Sequence, residues 1–242
     1  MPSLTVNERF CGPPGCANGG YFAGLLAQFS QDPVRVRIER PIPLQVALEV
    51  RSADAGGLTL ERDDQILARA QPTAFELAVP QPPDYLRALD ASRHFIGFGR
   101  HSFPDCFVCG TNRGRGDGLR IFAGELGGHD RVAATWVPDE SLSAGNGKVR
   151  PEFMSAALDC PGYFAARSDG VAMLLGEFSA HVDRCVHIDE PCIVVGWRIG
   201  ASGRKHEVGT ALFDYDGDLC ARARATWIEL KPKPDINIVR PA

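Results

Sequence analysis

No apolar run in this chain of 242 residues reaches the length of a membrane-crossing helix. The first residues, Met1 to Arg9, carry no apolar signal segment. Basic residues do not gather into a run: 26 Lys and Arg are scattered among 30 Asp and Glu, for a net charge of −4. These absences argue against a membrane partner, an export route and a nucleic-acid partner, so a cytoplasmic protein is expected. Its eight cysteines then read mostly as buried thiols of a reducing compartment. Cys106-x-x-Cys109 offers two ligands where structural zinc usually takes four. His101 is nearby and Cys11-x4-Cys16 is distant in sequence, so no full ligand set is visible, and no metal or cofactor is assigned.

What is present is a chain with 44% apolar residues, enough for a real core. Its most telling stretch runs from Gly15 to Gln28. Phe22, Leu25, Leu26 and Phe29 recur at helical spacing, while Cys16, Ala23, Gly24 and Ala27 keep the other faces small. A helix of so little bulk can be approached closely on several sides and belongs inside a fold, wrapped by a sheet. Asn18 is placed as its N-cap, and Gly19 and Gly20 leave the first-turn N–H groups bare. Bare amides at a helix start attract an anion or a polarised carbonyl oxygen. The alternative is a glycine-tolerant turn leading into a core helix.

Strand patterns follow at 34–42, 45–51, 57–62 and 66–78, after a short one at 3–10. One helix followed by antiparallel strands is an α+β pattern. Residues 80–118 are rich in Pro, Gly and charge and read as a connector, with a short helix at 84–91. Beyond it the pattern returns: strands at 119–122 and 131–137, a small, apolar helix at 152–166, then strands at 172–182, 192–199, 207–215 and 219–230. Pro161 is expected to kink that helix. Asp214-Tyr-Asp-Gly-Asp218 reads as a hairpin turn. The halves match in order. Phe22–Gln28 aligns without gaps on Phe153–Asp159, Val36–Arg40 on Ala180–Arg184, and Ile66–Ala70 on Leu219–Ala223. Duplication is the better reading, with units at 1–79 and 119–242 joined by 80–118.

A helix wrapped by an antiparallel sheet, twice in one chain, resembles a tandem or double hotdog protein of the acyl-CoA thioesterase superfamily. Asn18-Gly-Gly-Tyr21 is similar to the His-Gly-Gly or Asn-Gly-Gly helix entry of hotdog thioesterases. Cys106-Phe-Val-Cys-Gly110 followed by Gly118-Leu-Arg-Ile121 is similar to a segment heading many proteins of that superfamily. Ala157-Leu-Asp-Cys-Pro-Gly162 resembles the second helix of bacterial thioesterase-like proteins. The resemblance implies two antiparallel sheets, each around a central helix. It also implies an acyl-CoA or other thioester as partner, and leaves open a homodimer of double hotdogs. None of the six histidines lies on either central helix, which argues against a hotdog dehydratase.

The repeat alignment sets Gln28 against Asp159. The first helix opens with glycine amides, the second with Pro151, which has no N–H to offer. Gly20 and Gln28 are about 12 Å apart along one helix, so one helix does not supply donors and acid to the same atom. The amides of one half must meet the acid of the other, which is the composite site the resemblance implies. On this reading the carbonyl oxygen of a thioester rests on the amides near Gly19 and Gly20, and Asp159 attacks the carbonyl or activates water. A structural acid, paired for instance with Arg167, is the alternative for Asp159. Asn18 caps the helix or orients the thioester. Gln28 is read as the remnant of a second acid, and Tyr21 as pocket wall or core aromatic. Arg113 and Arg115, with Arg120, are candidates for a CoA phosphate, or are solvated surface charges. The competing function is a non-hydrolytic acyl-CoA or fatty-acyl binding module.

Overall fold

A computed structural model describes residues 2–127, 130–166 and 171–231; His129 and Arg167 lie outside them. The elements in chain order are β1 (Ser3–Leu4), α1 (Gly19–Ala27), β2 (Val34–Ile38), β3 (Leu48–Ser52), β4 (Leu58–Arg62), β5 (Gln65–Pro72) and α2 (Tyr85–Arg93). They continue with β6 (Gly124–Glu125), β7 (Arg131–Trp136), α3 (Pro151–Ala157), α4 (Cys160–Ala166), β8 (Met173–Val182), β9 (Cys192–Ser202), β10 (Lys205–Phe213) and β11 (Leu219–Glu229). No helix among the described residues is long and apolar enough to cross a membrane.

All strands among the described residues join one antiparallel sheet in the order β1-β3-β4-β5-β2-β8-β11-β10-β9-β7-β6. The expectation of two separate sheets is corrected by the β2–β8 pairing, in which Arg35, Val36 and Arg37 face Ser179, Phe178 and Glu177. Two free edges would leave rows of unpaired backbone groups, and joining them removes both. Read outward from that junction, the order is the same on both sides: β2-β5-β4-β3-β1 and β8-β11-β10-β9-β7. The Asp214–Asp218 turn closes the β10–β11 hairpin, with the Asp214 and Asp218 backbones bonded and Gly217 at φ 89°.

α1 lies antiparallel against α3. Its small residues permit the approach: a Cβ on Gly24 would sit 2.8 Å from the Glu152 Cα and from the Ser155 Cβ. Phe22 and Leu26 on its other faces are fully buried, so the helix is central, as its composition suggested. The helix expected at 152–166 is two helices with Leu158 and Asp159 between them. Pro161 has no N–H for the Ala157 carbonyl and interrupts the ladder there. The Thr210 hydroxyl donates to the Leu158 carbonyl (2.8 Å), satisfying a group the break sets free.

Two expected strands differ. Residues 3–10 pair only at Ser3–Leu4, because Asn7 caps a 3-10 turn over Glu8–Phe10. Residues 119–122 are not a strand; the Leu119 and Ile121 amides instead bond the Phe107 and Val108 carbonyls and brace the cysteine loop. α2 is capped by Asp84 and buries Ala88 and Ala91 in a small cluster with Ala133, Val195 and Ala211. Part of the connector therefore packs on the sheet.

Candidate active site

Each end of the α1–α3 pair brings a different set of groups together. At one end, the Asp159 Oδ2 accepts from the Gly20 N–H (3.0 Å) and the Asn18 Nδ2 (2.6 Å). Gly20 is required there, since a Cβ would fall 2.6 Å from the Asp159 Cβ and 2.9 Å from the Ser155 carbonyl oxygen. At the other end, Gln28 donates to Glu152 (2.9 Å), beside Pro151. The amide and the acid meet across the two halves at the first end only. Gln28 lines a separate, smaller cavity and is not brought to Asp159.

Asp159 is 1% exposed, and its Oδ1 has no hydrogen-bond partner among the described residues. Burial is the largest influence on its carboxyl and pushes the pKa up to about 7, with the Cys106 sulfur adding to the rise. The bonds from Gly20 and Asn18 act in the opposite direction. Asn18 is the N-cap, its Oδ1 accepting from the Tyr21 N–H (2.9 Å), and its amide group holds the acid, a partner the sequence did not indicate.

The carboxyl faces a cavity of about 300 Å³, walled by apolar groups that include Ile38, Ile42, Phe103, Phe164, Leu175 and Trp227. Gly19 lines it, and its N–H is a first-turn amide with no partner among the described residues. The Gly20 amide, by contrast, is engaged by Asp159 and is not free for a substrate, a departure from the expectation that both serve the carbonyl oxygen. The Trp227 indole nitrogen, in the same cavity wall, is also buried with no hydrogen-bond partner among the described residues.

Several expected residues lie elsewhere. Tyr21 is core: it stacks on Phe10 (4.3 Å) and Phe153 (5.5 Å) and does not line the cavity. Arg113 binds Asp117, the Asp105 carbonyl and the Cys11 sulfur, so its fork is engaged in tying the loop down. Arg115 is exposed away from the cavity, and Arg120 lies over the Phe122 ring. Among the described residues, the arginines at the cavity are Arg40 and Arg204, which no functional motif marked. His101 accepts from the Phe103 N–H at Nδ1 and is 3.0 Å from the Cys109 carbonyl at Nε2, and burial lowers its pKa; both ring nitrogens are occupied.

The cysteine pair also lines the cavity, and the fold adds a third thiol that spacing did not indicate, Cys160. Hydrogen bonds from Cys109 first and Cys160 next hold the Cys106 thiol well below its ordinary range, while burial pushes the other two well above theirs.

No protein-family model matches the chain, and no curated protein matches it in sequence. Solved structures do match in fold. A TesB protein of Mycobacterium avium subsp. paratuberculosis is 16% identical with a TM-score of 0.61, over 95% of this chain and 92% of that one. A candidate thioesterase of Novosphingobium aromaticivorans is 14% identical with a TM-score of 0.60, over 95% of each chain. A candidate thioesterase II of Thermobifida fusca is 16% identical with a TM-score of 0.57, over 95% of this chain and 92% of that one. At these identities the likeness is one of fold, and it spans nearly the whole chain.

Proposed function

We propose that this chain, which carries the tandem hotdog fold of thioesterase-superfamily proteins, hydrolyses an acyl thioester in one composite site between its halves. In this reading residues 1–79 and 119–242 are the two units and 80–118 the connector, a division supported by the matching strand order on either side of the β2–β8 junction. One observation carries the reading: a buried carboxylate, clamped through one oxygen by Gly20 and Asn18, stands in the wall of an apolar cavity with its other oxygen unpartnered among the described residues. A buried acid with no ion pair among the described residues is costly to the fold, and such groups concentrate where chemistry needs them.

The thioester carbonyl oxygen rests on the Gly19 N–H, which gains strength as negative charge develops on that oxygen. Asp159 Oδ1 takes a proton from water as the water oxygen bonds to the carbonyl carbon. Collapse breaks the C–S bond, and the proton passes to the departing thiolate. The other route is direct attack by the Asp159 carboxylate, giving a mixed anhydride that water then opens. Single turnover in heavy-oxygen water detects the second, because water attacking the Asp159 carbon of the anhydride leaves label in Asp159 and an unlabelled acid product, which the first route never gives.

Asp159→Asn keeps an acceptor for the Gly20 amide and removes the base. Thiol release from a panel of acyl-CoA esters is expected to fall by about a hundredfold or more. Unchanged turnover in a folded variant removes Asp159 from the mechanism. The competing reading, a binding module without turnover, has one observation in its favour: the Gly20 amide is engaged by Asp159 and is not free to serve a carbonyl oxygen beside Gly19. Tight acyl-CoA binding with no thiol release would select it.

A further inference from the structure

Three sulfurs converge beside the candidate site. The Sγ atoms of Cys106, Cys109 and Cys160 lie within 4.8 Å of one another, and those of Cys106 and Cys160 are 3.6 Å apart. Thiolates bound to zinc at about 2.3 Å in a tetrahedron stand about 3.8 Å from each other, so this spacing needs little adjustment to close on an ion. All three residues are buried, at 4%, 4% and 5% exposure.

The cage is held by backbone. Cys106 and Cys109 sit on a loop whose tight turn requires Gly110, where a Cβ would lie 2.4 Å from the Cys106 carbonyl oxygen. Phe107 bonds the Cys11 carbonyl, and Leu119 and Ile121 bond back to Phe107 and Val108. Cys160 is the first residue of α4, directly after the break that presents Asp159. The Asn18 amide nitrogen is 3.9 Å from the Cys106 sulfur and 2.6 Å from Asp159 Oδ2, so it stands between the trio and the carboxylate. Other buried cysteines behave differently: Cys192 and Cys220 donate to the Glu190 and Asp218 carbonyls.

We propose that Cys106, Cys109 and Cys160 bind one zinc-class divalent cation as thiolates, with the fourth tetrahedral position open to the cavity they share with Asp159. Three protein ligands and one open corner is the arrangement that admits water or a ligand to zinc. Binding would release the thiol protons and pin the loop to α4. The proposal does not rest on thioester hydrolysis.

The test uses the full chain purified under reducing conditions from zinc-supplied cells, with metal counted by elemental mass spectrometry. One zinc per chain is expected, and cobalt(II) in its place should give a thiolate-to-cobalt charge-transfer absorption. Cys160→Ser should lower zinc affinity by about a hundredfold or more and lose that absorption. Cys185→Ser, half-buried and away from this cavity, should keep both. A wild-type chain that carries no metal and takes up neither zinc nor cobalt overturns the proposal. So does a Cys160→Ser variant with unchanged affinity and spectrum. Should Cys160→Ser fail to fold, the wild-type cobalt spectrum decides alone: presence of the thiolate band supports the site and its absence overturns it. Neither readout depends on acyl-CoA turnover.

Discussion

Asn18 serves two partners with one side chain, and the two can be separated. Its Oδ1 caps α1, a role that serine fills equally well, while its amide group holds Asp159, which serine at that position is too short to replace. Asn18→Ser should therefore stay within about 1 kcal/mol of wild-type stability by urea unfolding, yet lose turnover. Gly20 has no such latitude. A methyl group there would meet Asp159 and the Ser155 carbonyl at under 3 Å, so Gly20→Ala should be destabilised by about 1–3 kcal/mol. Thermal melting of the two variants side by side checks both.

At the scale of elements, the break between α3 and α4 organises the second half of the site. An unbroken helix would leave the Leu158 carbonyl bonded along its own axis. Here the Gly162 N–H that would serve it donates to the Asp159 carbonyl instead, and Thr210 on β10 supplies the substitute donor. Thr210→Val leaves that carbonyl buried and unpaired and should cost about 1–3 kcal/mol, with Thr210→Ser recovering most of it. α1 meets this break closely because the residue facing Asp159 is Gly20, while Gly24 lets it approach Glu152 and Ser155 of α3. At the second end of the helix pair Pro151 stands where the first end has Gly20, so no N–H is offered at that position, and Gln28 donates to Glu152. That difference is why one composite site, and not two, is proposed.

Across the whole molecule, the β2–β8 pairing makes one sheet of two halves, with Val36 and Phe178 buried at the seam. Halves joined by shared backbone bonds and a shared core should unfold together. Trp136, Trp197 and Trp227 all lie beyond residue 119, on β7, β9 and β11, so indole fluorescence reports that half while far-ultraviolet circular dichroism reports both. The two transitions are expected to coincide, and a split would mean independent units. The cavity draws on both halves too, with Arg40 from one and Arg204 from the other. Arg40→Ala should raise KM for acyl-CoA esters while leaving N-acetylcysteamine thioesters, which carry no phosphate, unaffected; a comparison of the two substrates checks it.

The chain order alone carried much of this. The low bulk of α1, its Asn18 cap, the Pro161 interruption and the internal repeat are local or periodic features, and periodicity survives without coordinates. It also singled out Asp159, because an acid on an otherwise buried helix is conspicuous in one dimension. Long-range choices were different in kind. Gly20 and Asp159 are neighbours across 139 positions, and Cys160 joins the cysteine pair across 51 to 54; nothing in either segment encodes the other's distance. Arg113 and Arg115 drew attention by sitting next to a motif, while Arg40 and Arg204, ordinary residues of strand ends and turns, reached the cavity. Packing two helices in contact and pairing two strand edges decided which amides, acids and thiols share a space, since those contacts depend on the whole chain being folded at once.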